Sequence, residues 1–144
     1  MSHHPGLKNH QVILYVDTDK ITEGTEEDHC WLEKPYNKKA NPDFYTEVHQ
    51  GESITWLGFS ISNPNTIVKI KSIHHEKESY VFGKATLYGN GKMPETVIGT
   101  VINHTKGEKE VYIINFTIYD QNNGGERNGK FRVDPKLKID TQGQ

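Results

Sequence analysis

Apolar and polar residues alternate with a period of two along most of this chain. No stretch keeps the 3.6-residue period of an amphipathic helix over three turns. Residues 11–16 (QVILYV) form a short apolar run, as expected of a strand covered on both faces. In residues 53–59 (SITWLGF), Ile54 and Trp56 fall on one face. Residues 66–73 (TIVKIKSI) turn Val68 and Ile70 inward and leave Lys69 and Lys71 to solvent. Residues 80–92 (YVFGKATLYGNGK) read as a strand entering a tight turn, because Asn90-Gly91 favours a type I′ hairpin. Residues 96–103 (TVIGTVIN) give another strand. Residues 110–119 (EVYIINFTIY) give the strongest one, with Tyr112, Ile114, Phe116 and Ile118 on one face and a partly apolar opposite face, so it belongs in the middle of a sheet. Residues 129–135 (GKFRVDP) and 136–139 (KLKI) close the series, broken by Pro135, which cannot donate to a ladder.

Eight to ten short strands without helices predict an all-β protein: a single antiparallel β-sandwich over residues 11–140, a Greek key of cupredoxin- or immunoglobulin-like kind, with flexible ends at 1–10 and 141–144. Residues 17–43 depart from the pattern. They are rich in Asp, Glu, Lys, Asn and Pro, with only CWLE at 30–33 as a short strand, and are expected to form a long surface excursion, the place for binding residues or for mobility. Neither repeats nor a second domain are visible.

Composition narrows the partners. A chain of 144 residues buries about two-thirds of its unfolded surface. Only 33% of residues are apolar and 25% are charged, and the net charge of −2 offers no footprint for nucleic acid or an anionic membrane. No run is long enough for a transmembrane helix. The opening MSHHPGLKNH has no apolar core and is not a secretory signal, so a cytoplasmic protein, or one already trimmed, is expected. Cys30 is the one cysteine and cannot make an internal disulfide, which fits the same compartment.

The phrase VHQGESITWLGFSIS at 48–62 resembles one used by the small copper proteins of the cupredoxin type. Such a site needs a histidine after the Trp strand and a Cys-His-Met set in a later loop. The loops NPNT (63–66) and DQNNGGERNGKF (120–131) contain none of these, so the phrase predicts the sandwich without the copper. His74 and His75 are adjacent on a strand, point to opposite faces, and read as solvated strand-end residues. His29 beside Cys30 reads as a plain thiol next to a surface histidine. If Met1 is removed, Ser2-His3-His4 presents a free amine and imidazoles that can wrap Cu(II) or Ni(II), against the simpler reading of a disordered or cloning-derived end. Asp120, Asn122, Asn123 and Glu126 have oxygens at spacings that suit calcium, although Gly and Asn are also what a long hairpin loop uses for positive φ. Glu23, Glu26, Glu27 and Asp28 read as a solvated acidic run. There is no nucleophile motif, phosphate loop or HExxH, and Asp17 and Asp19 are an unplaced carboxylate pair, so enzyme activity is not expected. Tyr36, Phe44 and Tyr45 could stack on sugar rings or cap the open end of the core.

Three segments, in order, resemble the bacterial inclusion-body protein family (PixA/AidA-like): VILYVDTDKI from position 12, VHQGESITWLGFSISN from 48, and YIINFTIYDQNNGGERNGKFRVDPKLKI from 112. The resemblance implies a β-sandwich, cytosolic in bacteria, associated with protein inclusions or cell-density-regulated expression, and without catalytic residues to carry over. The expected function is therefore non-enzymatic: a homo-oligomer acting by self-association or protein binding. The alternative is a lectin-like carbohydrate-binding module that uses loops 17–43 and 120–129, with Asp17, Asp19, Tyr36, Tyr45, Asp120, Asn122, Asn123 and Glu126 as ligand contacts.

Overall fold

The computed structural model describes residues 7–36, 43–77, 79–122 and 124–141. Two layers of strands enclose one apolar core. The first layer has four strands in the order β2-β1-β4-β7, where β1 is Asn9–Val16, β2 Cys30–Leu32, β4 Ser53–Ser60 and β7 Val97–Thr100. β1 runs parallel to β4 from Asn9↔Ser53 to Val16↔Ser60, so two segments far apart in sequence make the centre of this layer.

The second layer is built on two long strands, each interrupted once. β8 (Glu110–Val111) and β9 (Ile113–Asp120) are separated only by Tyr112, and β11 (Phe131–Val133) and β12 (Lys136–Asp140) only by Asp134 and Pro135. Phe131 faces Phe116 and Val133 faces Ile114; the same antiparallel register continues beyond the break with Lys136 opposite Val111. The Tyr112 amide donates to the Pro135 carbonyl at 3.0 Å and carries the ladder across the gap. β5 (Thr66–His74) flanks β9 with a bulge between Ile70 and Ser72, β6 (Thr86–Tyr88) flanks β5, and β3 (Tyr45–His49) lies parallel to β12 on the other side. A short β10 (Gly125–Glu126) folds back on the end of β9.

Alternation places the core. Val12, Leu14 and Val16 of β1, Ile54 and Trp56 of β4, and Val68 and Ile70 of β5 are all buried, as are Tyr112, Ile114, Phe116 and Ile118. At the centre the Trp56 indole N–H donates to the Tyr112 hydroxyl at 3.1 Å, which satisfies the one polar group that a buried tryptophan brings. Burial pushes the Tyr112 phenol up, so it stays neutral and able to accept. Gly58 lets the layers approach: a Cβ there would run into the Val68 side chain.

Five expectations change. β1 is buried on one face only, because its other face belongs to the outside of the first layer. The pairing is antiparallel except for the two parallel pairs β1/β4 and β3/β12. Asn90-Gly91 does not close a hairpin: β6 pairs with β5 while β7 pairs with β4, so this turn carries the chain from one layer to the other. Only Gly91 of the two has positive φ (72°), and the Asn90 side chain instead accepts from the amides of Lys92 and Thr96. The stretch after Asp17 is pinned rather than free, since Ile21, Cys30 and Leu32 are in the core and residues Glu26–His29 form a short helix, α1. His75 is not a solvated strand-end residue but fully buried; His74 is the half-exposed one.

Candidate functional site

Three regions gather polar or exposed groups: the two ends of the sandwich and the outer face of the four-stranded layer. The first end holds most of the loop residues singled out in the sequence. Asp120, at the end of β9, accepts from Arg127 Nε at 3.0 Å and Nη2 at 2.8 Å, a bidentate pair. Arg127 Nη1 donates to the Thr18 carbonyl at 2.6 Å and so ties the 120–127 loop to the turn after β1. The guanidinium holds the Asp120 carboxyl below its ordinary range despite partial burial. The Thr18 hydroxyl meets Ser60 Oγ at 2.7 Å and Ser62 Oγ at 3.2 Å. Asp17 is buried, and its Oδ1 has no protein partner.

The remaining candidates go separate ways. Asp19 and Asn122 are exposed. Glu126 accepts from Thr117 Oγ1 at 2.9 Å on the solvent side of β9. Tyr36 packs against Trp31 with ring centroids 4.7 Å apart and the planes tilted by 49°, and Tyr45 lies within β3 beneath the Lys109 ammonium, 3.8 Å from the ring centroid. Phe44 packs against the core, as a cap would. Asn123, His3 and His4 lie outside the described residues. The acidic run is only partly solvated: Glu23 and Glu26 carboxylates accept from the amides of Lys130 and Arg132 and fasten α1 beside β11. Among the described residues no group of three or more His, Cys, Asp or Glu side chains is placed to hold a metal ion. Burial raises the Cys30 thiol, with Glu26 adding to the effect, so it is a core residue rather than a nucleophile.

At the opposite end two carboxylates are locked to histidines. Burial pushes Glu52 up, but the amides of His49 and Lys8 and the ring of His10, 2.8 Å from Oε1, outweigh it and hold its pKa at about 2. His75 gives Nε2–H to Glu110 Oε1 at 2.8 Å, and Ser79 Oγ donates to the same oxygen at 2.7 Å. His75 Nδ1 is buried without a partner. A cleft of about 710 Å³ lies beside this group, lined by Ser79, Tyr80, His104 and Glu110 among others. Serine, glutamate and histidine are together here, yet the carboxylate sits between the other two. The serine hydroxyl therefore points to glutamate and has no imidazole to take its proton, which is not the order acyl transfer needs.

The outer face of the four-stranded layer was not foreseen. Its lower half is polar, with Asn9, Gln11, Ser53, Thr55 and Thr100, and Asn9 bonds the hydroxyls of both Ser53 and Thr55. Its upper half is apolar: Ile13 stands beside Leu57, Trp31 beside Tyr15, and Tyr15 beside Phe59 in one row across three strands. Tyr15 and Phe59 rings are 6.3 Å apart, and Tyr36 extends the row past Trp31. Phe59 is 58% exposed and Ile98, on the edge strand, 64%. The signal was present in QVILYV, whose second apolar set (Ile13, Tyr15) was assigned to a covering layer instead of to solvent.

No family model matches the chain, and no curated protein matches it either. Solved structures do. The crystal structure of an inclusion body protein (PixA) from Burkholderia cenocepacia is similar over 96% of this chain and 99% of its own, with a TM-score of 0.68 at 12% identity. At that identity the likeness shows a shared fold.

Proposed function

We propose that this protein is a non-enzymatic, assembling β-sandwich of the inclusion-body type, one that works by associating with further copies of itself. The observation that carries the reading is the likeness, over 96% of this chain and 99% of the other, to a protein described as an inclusion body protein. The chemistry at the two ends of the sandwich supports it. Asp120, Glu52 and Glu110 are each committed to a neighbouring cation, imidazole or hydroxyl and hold loops together, so none of these three is free to act as an acid or base. A large exposed apolar row supports it too, because a monomer gains nothing by leaving Phe59 and Ile98 in water.

Sedimentation velocity over a concentration series from micromolar to millimolar tests the reading. A weight-average mass that climbs with concentration supports it. One sharp 16.5 kDa species at every concentration would overturn it.

A further inference from the structure

The outer face of β2-β1-β4-β7 has no charge at any of its eleven outward strand positions: Trp31 in β2, the four odd-numbered positions 9–15 in β1, the four odd-numbered positions 53–59 in β4, and Ile98 and Thr100 in β7. In a chain that is 25% charged, roughly two or three charges would fall on eleven surface positions, and more if charge favours the surface as usual. The other layer does not share this property: outward Lys69, Lys71, Lys136 and Lys138 stud β5 and β12, with Glu47 and Glu126 beside them. One face of the sandwich thus carries charge on its strands and the other carries none.

We infer that this uncharged face is the contact between copies of the chain, each copy laying the same face of its four-stranded layer against its neighbour's. The inference rests on the assembling function proposed above and names the surface that performs it. A second copy is the occupant that the face fits. An uncharged surface meets its own likeness without repulsion, whereas a face of one charge sign would repel its copy across a two-fold axis. Sheets stack face to face about 10 Å apart when their side chains interdigitate, and the row Trp31–Tyr15–Phe59 places three large side chains next to one another on this face.

The area points the same way. β1 and β4 are each eight residues long, β2 three and β7 four, and at about 3.3 Å per residue and 4.8 Å between strands they cover on the order of 350 Å² per copy. Two copies then bury on the order of 700 Å², the size of a weak, transient contact. A contact of that size is weak in dilute solution and takes hold when the protein is concentrated, the behaviour an inclusion-forming chain requires. Edge-to-edge pairing through β7 is the less suitable route, since just beyond its two ends the Ile102 amide donates to the Val81 carbonyl and the Asn90 amide to the Thr96 carbonyl, which brings the segment that carries β6 alongside.

The test is Phe59→Glu in the full chain, with Tyr88→Glu as its control: Tyr88 is 77% exposed but belongs to β6 in the other layer. Across a two-fold contact Phe59→Glu places two carboxylates in one apolar interface, and the dissociation constant read by sedimentation should rise at least about tenfold. Tyr88→Glu should leave it within about twofold. Near-ultraviolet circular dichroism checks that the fold survives. Should Phe59→Glu fail to fold, Ile98→Lys on the neighbouring strand asks the same question. If the wild type associates and the folded variants associate equally well, the inference falls while the assembling function stands. If the wild type never associates, both fall. If neutral oligosaccharides quench or protect Trp31 in a chain that stays monomeric, the face has a different occupant and the inference is overturned.

Discussion

Glu52 is a carboxylate pulled in two directions, and the balance can be read as a pH dependence. Burial alone would raise its pKa, but two backbone amides and the His10 ring bring it from 4.5 to about 2. A carboxylate whose folded pKa is depressed stabilises the fold above its unfolded pKa and loses that contribution as pH falls toward the folded value. Glu52→Gln should therefore cost on the order of 1–3 kcal/mol at pH 7 by urea unfolding. The gap to wild type should close between about pH 4.5 and pH 2. A constant difference across that range would show that Glu52 acts through shape rather than charge. Tyr112→Phe makes a second residue-scale prediction. It removes the only acceptor of a fully buried indole N–H, so unfolding free energy should drop by about 1–3 kcal/mol although the mutation deletes a single oxygen. A neutral result would mean that the Trp56 N–H finds another acceptor. Residues such as these were only half legible in the sequence. The inward face of Tyr112 followed from alternation, whereas the hydrogen bond to Trp56 joins residues 56 apart and no local pattern encodes it.

Among the elements, strands were easier to find than their partners. Val68, Ile70, Ile114, Phe116 and Ile118 lie inward as their spacing predicts. Pro135 was read as a break, and it does interrupt the strand, yet the register runs on because proline lacks only the donor; its carbonyl still accepts from Tyr112. The Asn90-Gly91 turn misled for a physical reason. Asn and Gly serve equally a strand that doubles back in its own layer and one that crosses to the other, and the choice is made by distant packing of β6 on β5 and β7 on β4. The parallel pairing of β1 with β4 is likewise a long-range choice. Gly58 shows what that choice demands. It sits in β4 against Val68 of the facing layer, and Gly58→Ala would press a methyl group into Val68, so thermal unfolding should shift downward by an amount equivalent to about 1–3 kcal/mol. An unchanged melting temperature would indicate that β4 and β5 can part there without cost.

For the whole molecule, composition and periodicity led to the all-β sandwich, and the loops were the place where a site was sought. There Asp120 and the turn after β1 are joined through Arg127. The join is an internal brace, and Arg127→Met should loosen the loop and cost about 1–2 kcal/mol in urea, reduced from a fully buried pair because both side chains are partly exposed. The outer face escaped notice because a run with apolar residues at both parities looks the same whether its second face is covered by the chain itself or by another molecule. Trp31 reports on that difference. It stands in the aromatic row of the outer face, while Trp56 is sealed in the core. Acrylamide quenching of tryptophan emission, followed alongside sedimentation as concentration rises, tests the account most directly: the quenchable fraction, due to Trp31, should fall in step with the gain in mass. Mass that grows while Trp31 stays as open to the quencher as in dilute solution would contradict it.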